Sequence, residues 1–221
     1  MQTTTPILAA LAATTALAQT AAGVWPQTKT NLGVSFGDNI ITPGVWIKSK
    51  RMLISSKIDT TYPTVYPGYS TSSYPGTYML MMVDYDVADS AFATLDQYSS
   101  LIPGRLVNTT ARLHWWGWNY TLQDGKFINS SNALASYHPA QPATSRVHDF
   151  TLFLFYQPQD YAPPQDVLDG LLEEHDPRHN FTLAPIVEAV GNPLAATYFW
   201  SSTPGVPDNS SATYSYSYGK I

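Results

Sequence analysis

The sequence predicts a mainly β fold with a few short helices late in the chain. Three observations carry this. Residues 77–83, 111–120 and 150–156 are strongly apolar runs of strand length, rich in Met, Trp and Phe, the pattern of strands buried on both faces. Helical periodicity appears only after residue 164. Finally, 17 prolines and 13 glycines punctuate the 221 residues, which favours many short elements joined by turns. No internal repeat and no shift in composition divides the chain, so one domain with a sizeable core is expected over residues 19–200.

Taken in order, residues 1–18 carry no charged side chain and end in Ala16-Leu17-Ala18 after an apolar stretch. That reads as a signal peptide with an A-x-A-like cleavage site, too short to span a bilayer. Residues 19–30 read as a loose leader. Residues 32–36 and 39–41 read as a short strand and a turn, and Thr42-Pro43-Gly44 as a second turn before 45–48 and 51–54. The Pro, Tyr, Ser and Thr of 62–76 predict an exposed loop. Residues 77–83 form the first buried strand and 88–95 a short helical turn. Residues 111–120 form the second buried strand, 122–135 a loop, and 150–156 the third, stopped by Pro158. Apolar residues at 167, 168, 171 and 172 give helical spacing over 165–174. A second helix is expected over 182–190, with Thr182 as N-cap and Gly191 at C′. Residues 195–200 form a last strand, and 201–221 a mobile tail.

Composition narrows the function. Net charge is −5, and lysine and arginine do not cluster, so neither nucleic acid nor an anionic membrane surface has an electrostatic footprint here. No segment beyond the leader approaches the length of a membrane span. Cysteine is absent, which removes thiol chemistry and cysteine metal sites. Sequons stand at Asn108, Asn119, Asn129, Asn180 and Asn209. With the signal-like N-terminus they predict a glycoprotein of the secretory pathway, secreted or held in a vesicle or vacuole lumen. Asn119 lies beside the tryptophans, where burial would block modification.

The chemistry concentrates on the apolar strands. Asp84 and Asp86 end MLMMVDYD, His114 sits in RLHWWGW, and His148 opens HDFTLFLF. Unpaired charges are costly in such surroundings, so the four groups are expected to meet in one small pocket. Two imidazoles can hold an anionic oxygen or move a proton, and an aspartate can orient one of them. Trp115, Tyr137 and Phe150 can supply apolar walls. The same set suits proton abstraction beside a carbonyl, with the second histidine steadying the oxyanion. His114, His148 and Asp84 are the candidate catalytic groups. Gly33-Val34-Ser35-Phe36-Gly37 matches a nucleophile elbow in letters but lacks the preceding sheet and following helix. His175 and His179 are separated by Pro177 and lack the zincin glutamate.

The order of these motifs resembles the phosphatidylethanolamine-binding protein family, in a secreted fungal form. The resemblance runs from about Leu32 to Trp200. It rests on Tyr78 to Asp86, Leu113-His114-Trp115, Tyr137-x-Pro139, Pro142, His148-x-Phe150, Phe153-Leu154-Phe155, Arg178-x-x-Phe181 and Gly191-x-Pro193 through Phe199. It implies a β-sandwich with an anion pocket at one end, lined by Asp84, Asp86, His114, Trp115, Tyr137, Pro139, His148 and Phe150. The family's D-P-D-x-P reads Asp84-Tyr85-Asp86-Val87-Ala88 here, and its G-x-H-R reads Arg146-Val147-His148-Asp149. Both aspartates and the histidine stay; both prolines, the glycine and the arginine do not. Two Asp and two His can also ligate a metal, but the resemblance implies a site used for anions, so neither metal nor cofactor is expected.

Three roles follow as expectations. The first is binding of an anionic small molecule or a lipid headgroup. The second, implied by resemblance to secreted fungal relatives, is an enzyme or accessory in secondary-metabolite biosynthesis. There it would assist the dimerisation of maleic-anhydride (maleidride) monomers, with a partner biosynthetic protein as one expected partner. The third, also implied by the resemblance, is inhibition of a serine carboxypeptidase through surface contacts.

Overall fold

The computed structural model describes residues 19–21, 23–48, 62–68, 76–88, 109–129, 131–140, 147–171 and 178–202. In chain order the strands are β1 (Leu32–Phe36), β2 (Asn39–Ile41), β3 (Val45–Lys48), β4 (Thr64–Pro67), β5 (Thr77–Ala88), β6 (Thr109–Gln123), β7 (Lys126–Ile128), β8 (Val147–Gln157) and β9 (Ala195–Ser202). Two short helices, α1 (Gln165–Gly170) and α2 (Ala184–Val190), lie between β8 and β9. The strands form a large sheet in the order β3-β9-β8-β5-β6-β7 and a small one in the order β2-β1-β4. All pairings are antiparallel except β3 with β9.

Strand β5 is apolar at nearly every position because both of its faces are covered. Tyr78, Leu80 and Met82 turn to one side and join Leu32, Val34, Phe36 and Val65 of the small sheet, with Phe150, Leu152, Leu154 and Phe199 beside them. Met79, Met81, Val83 and Tyr85 turn to the other, against Phe153, Phe155, Phe181, Leu183 and Ile186. Each fully buried side chain of this size contributes roughly 1.5–3 kcal/mol by leaving water. The mainly β architecture and late helices expected from the sequence are present. No helix among the described residues is long and apolar enough to cross a membrane.

Several boundaries differ from expectation. Residues 19–30 are not a loose leader where described: Ala21 and Val24 are buried in the second core, and the Trp25 carbonyl accepts a hydrogen bond from Tyr85. Residues 39–41 are a strand paired with β1. The expected loop at 62–76 contains β4, held by pairing with β1 although Pro63 precedes it and Pro67 ends it; prolines suit an edge strand. The expected loop at 122–135 opens with a hairpin, β6 to β7, around Asp124 and Gly125, both at positive φ (48° and 73°), as a two-residue type I′ turn requires.

Helix α2 begins two residues later than expected, with Leu183 rather than Thr182 at the N-cap. The Thr182 hydroxyl still accepts the Ala184 N–H at 3.2 Å. Gly191 ends the helix at φ 86° and donates its N–H to Val187. The expected elements at 51–54 and 88–95 lie outside the described residues apart from Ala88, which ends β5. So do the signal segment, helix residues 172–174 and the tail beyond Ser202.

Candidate functional site

The site is made by two irregularities in the β5–β6 ladder. Met82 pairs with Trp115, but the next residue, Val83, pairs with Leu113. His114 is therefore an extra residue on β6, a β-bulge, a device that re-aims side chains. Leu113 and Trp116 go to the second core, while Trp115 stays on the face of the first, where His114 meets Phe150 edge-on at 5.2 Å. The second irregularity lies on β5 between Asp84 and Val87. The β5–β8 register ends at Asp84 opposite Phe150. Beyond it, the Asp86 N–H donates to Asp84 Oδ1 at 2.9 Å, a local side-chain bond that replaces a ladder bond. Tyr85, where the resembled motif has proline, turns to the opposite core.

Asp84 joins the two imidazoles. His148 Nδ1–H donates to Asp84 Oδ2 at 2.7 Å, and His114 Nε2 lies 3.9 Å from the same oxygen. Phe150 stacks on His148 with ring centroids 6.2 Å apart. Asp84, His114 and His148 are exposed by only 2%, 3% and 4%, so the contacts among them are shielded from water.

The tautomer of His114 follows from its partner. Its Nδ1 lies 3.0 Å from the His138 carbonyl, which can only accept, so Nδ1 carries the proton and the neutral ring keeps a lone pair on Nε2. Burial lowers the pKa of His114 from 6.5; Asp84 and the His138 carbonyl pull it back up, and Arg112 and the His138 ring add to the lowering. The neutral ring therefore predominates at pH 7. Two acceptors, Asp84 Oδ2 and His114 Nε2, then face each other with room for a proton. A ligand that brings one, as an acid does, would find a base in place.

The His138 backbone is fixed from behind. His138 N–H donates to the His114 carbonyl at 2.8 Å, and Trp116 and Ala135 exchange main-chain bonds alongside. The Arg178 guanidinium donates to the Ser136 carbonyl at 2.6 Å, to the Ser136 hydroxyl at 3.0 Å and to the His114 carbonyl at 3.4 Å. The Arg178 carbonyl accepts the Leu113 N–H. One side chain thus ties the carbonyl-bearing segment to the bulge that carries the imidazole.

The other expected residues divide. The Asp86 carboxylate does not join the trio on equal terms: its Oδ2 accepts the Asp149 N–H at 2.9 Å, closing the ladder where β5 leaves β8. Trp115 is fully buried, with ring centroids 5.6, 5.9 and 6.1 Å from Tyr62, Tyr120 and Tyr137. Tyr62, half exposed and 5.5 Å from Tyr137, joins the aromatic group around Trp115, although it was not among the expected site residues. The aromatic-rich composition around it was the available signal. Pro139 is half-buried, in the segment after His138.

Of the sequons, Asn119 accepts from Gln157 Nε2 through Oδ1 at 2.6 Å and lies 3.4 Å from Ser131 through Nδ2. Asn129 donates to the Trp118 carbonyl, and Asn180 accepts from Thr110. Asn108 and Asn209 lie outside the described residues.

A mainly β protein with a buried acid–imidazole cluster at one end of its large sheet is the class that fold and geometry define, and its architecture is that of phosphatidylethanolamine-binding-protein-like structures. It is similar to a carboxypeptidase Y inhibitor solved in complex with its cognate proteinase, with a TM-score of 0.51 and 14% identity over 80% of this chain and 85% of that one. A solution structure of CG7054 gives 0.45 and 19% identity over 78% and 84%. A putative phosphatidylethanolamine-binding protein homolog, CT736 from Chlamydia trachomatis, gives 0.41 and 14% over 78% and 97%. The sequence matches no family profile and no curated protein.

Proposed function

We propose that the protein binds a small organic acid at Asp84, His114 and His148, and that it serves secondary-metabolite biosynthesis by assisting the coupling of maleic-anhydride-type monomers. The observation that carries this reading is the single oxygen, Asp84 Oδ2, set 2.7 Å from one imidazole and 3.9 Å from the other. The first contact orients His148, and the second leaves His114 Nε2 as an acceptor in a buried site.

In the binding step an acid gives its proton to His114 Nε2, and the resulting imidazolium holds the anionic oxygen. In the coupling step the C–H bond beside a monomer carbonyl breaks. With an anhydride monomer, which brings no acid proton and so meets the neutral ring, that proton passes to His114 Nε2; the electron pair spreads into the carbonyl and attacks the unsaturated carbon of a second monomer, and the carbanion formed there takes the proton back from His114 Nε2. Phe150, against both rings, excludes water from that exchange.

The test is calorimetric titration of the purified protein with maleate and with inorganic phosphate, beside His114→Ala and His148→Ala, together with product titre in a producing strain. Binding lost in both variants, with titre lost as well, supports the reading. Binding lost with titre unchanged leaves a carrier of acids, and a preference for phosphate over maleate favours a phosphorylated headgroup. A carboxypeptidase complex that survives both substitutions, with no acid binding in the wild type, favours a surface inhibitor.

A further inference from the structure

Strand β9 brings a hydroxyl to this end of the sheet. Ser201 stands directly opposite His148 in the antiparallel β8–β9 register, so the two side chains share one face. On β9 that face carries Thr197, Phe199 and Ser201 in alternation. Phe199 stacks on Phe150 at 5.3 Å, and Ser201 lies one step further toward the acid–imidazole end. Its side chain is wholly buried, and Oγ has no hydrogen-bond partner among the described residues. An unpartnered buried hydroxyl costs about 1–3 kcal/mol, while alanine would fill most of the same space at no such cost.

We propose that Ser201 is a ligand-binding residue of the acid–imidazole site, donating its hydroxyl proton to an acceptor oxygen of the bound acid from the β9 side. This rests on the reading of the site as one for acids and narrows the ligand. Neighbouring strands are about 4.8 Å apart, so an oxygen reached by Ser201 lies on the far side of His148 from His114 and is a second oxygen, distinct from the one that His114 Nε2 holds. A small diacid with its two carboxyl groups on adjacent carbons presents oxygens in that arrangement. A monocarboxylate presents one group only. The predicted class is therefore a cis-dicarboxylate or its cyclic anhydride.

The test compares wild type, Ser201→Ala and Thr197→Val. Thr197 carries another buried hydroxyl without a partner among the described residues, opposite Leu152 in apolar surroundings, and serves as control. Maleate and acetate affinities are measured by calorimetry, and stability by urea denaturation. Ser201→Ala is expected to weaken maleate binding about five- to tenfold, the effect of one lost hydrogen bond. Acetate affinity should stay unchanged and the urea midpoint should not fall, since the unpartnered hydroxyl itself costs stability; both affinities should stay unchanged in Thr197→Val. Equal maleate affinity in wild type and Ser201→Ala overturns the assignment. So does a loss shared by Thr197→Val or accompanied by a fall in the urea midpoint, either of which marks the hydroxyl as structural. A wild type that binds neither maleate nor acetate overturns the reading of the site itself, and the Ser201 assignment with it.

Discussion

The side chains of Asp84 and His148, 64 residues apart in sequence, meet at 2.7 Å between Oδ2 and Nδ1, wholly inside the protein. The other oxygen of Asp84 accepts the Asp86 N–H. One carboxylate thus satisfies a ring and a backbone donor at once, at the point where β5 and β8 part.

Replacing Asp84 should accordingly be costly to the fold. Asp84→Ala strands both donors, each at about 1–3 kcal/mol, so a loss of about 2–5 kcal/mol is expected. Asp84→Asn keeps one acceptor oxygen and should lose clearly less. Urea denaturation at pH 7 checks both. A loss under about 0.5 kcal/mol for Asp84→Ala, the range of ordinary surface changes, would contradict the contact.

Stability and acid binding should respond to pH in opposite directions at His114. Its folded pKa is lowered from 6.5, first by burial, so below pH 6.5 the unfolded chain takes up this proton before the folded one does. The stability that the neutral ring contributes is full above pH 6.5 and is lost as pH falls from there to the folded value. Acid anions need the proton on Nε2, so their binding strengthens over the same fall. Asp84, Arg112 and the His138 ring act on the same group. The informative quantity is therefore the difference between wild type and His114→Gln in urea midpoint and maleate affinity at pH 5 and pH 8. A wild type whose two slopes match those of His114→Gln would contradict the account.

Arg178 should act on His114 without touching a ligand. Its guanidinium fixes the Ser136 carbonyl and hydroxyl beside His138, and Lys cannot reproduce that fork. In Arg178→Lys the His114 ring should shift from nearly pure Nδ1–H toward a mixture of tautomers, read from imidazole ¹⁵N shifts at pH 8. Unchanged ¹⁵N shifts in a folded variant would show that the clamp does not set the tautomer.

Much of this was legible in the sequence, for reasons that particular residues make plain. The run Tyr78 to Val83 has no polar position, which announces burial on both faces, and Asp84, His114 and His148 were conspicuous on such strands. What stayed hidden depends on partners. The bulge at His114 is defined by a register with β5, not by the letters RLHWWGW. The Asp86 carboxylate had the right type and spacing but is used by the Asp149 amide. Strand β4 exists because β1 offers it a ladder, against the turn-like composition around Pro63 and Pro67. The Asp124-Gly125 hairpin, by contrast, carried a known turn signal that the expectation of a loop over 122–135 passed over.

Gly117, within the tryptophan cluster, is required for close approach. A Cβ there would lie 2.6 Å from Tyr120 Cε2 and 3.2 Å from Trp115 Cε2. Gly117→Ala must displace the Tyr120 ring and disturb Trp115, a neighbour of His114. A loss of about 1–3 kcal/mol, typical of overpacking, and a change in tryptophan fluorescence are expected. An unchanged urea midpoint would contradict this packing.

The most direct measurement follows the imidazole nitrogens of ¹⁵N-histidine-labelled protein during titration with maleate. Of the five histidines, His114 and His148 should move together along one saturation curve, while His138, His175 and His179 stay in place. If His114 and His148 respond with different midpoints, or neither responds while the protein stays folded, Asp84 does not join them into one binding site.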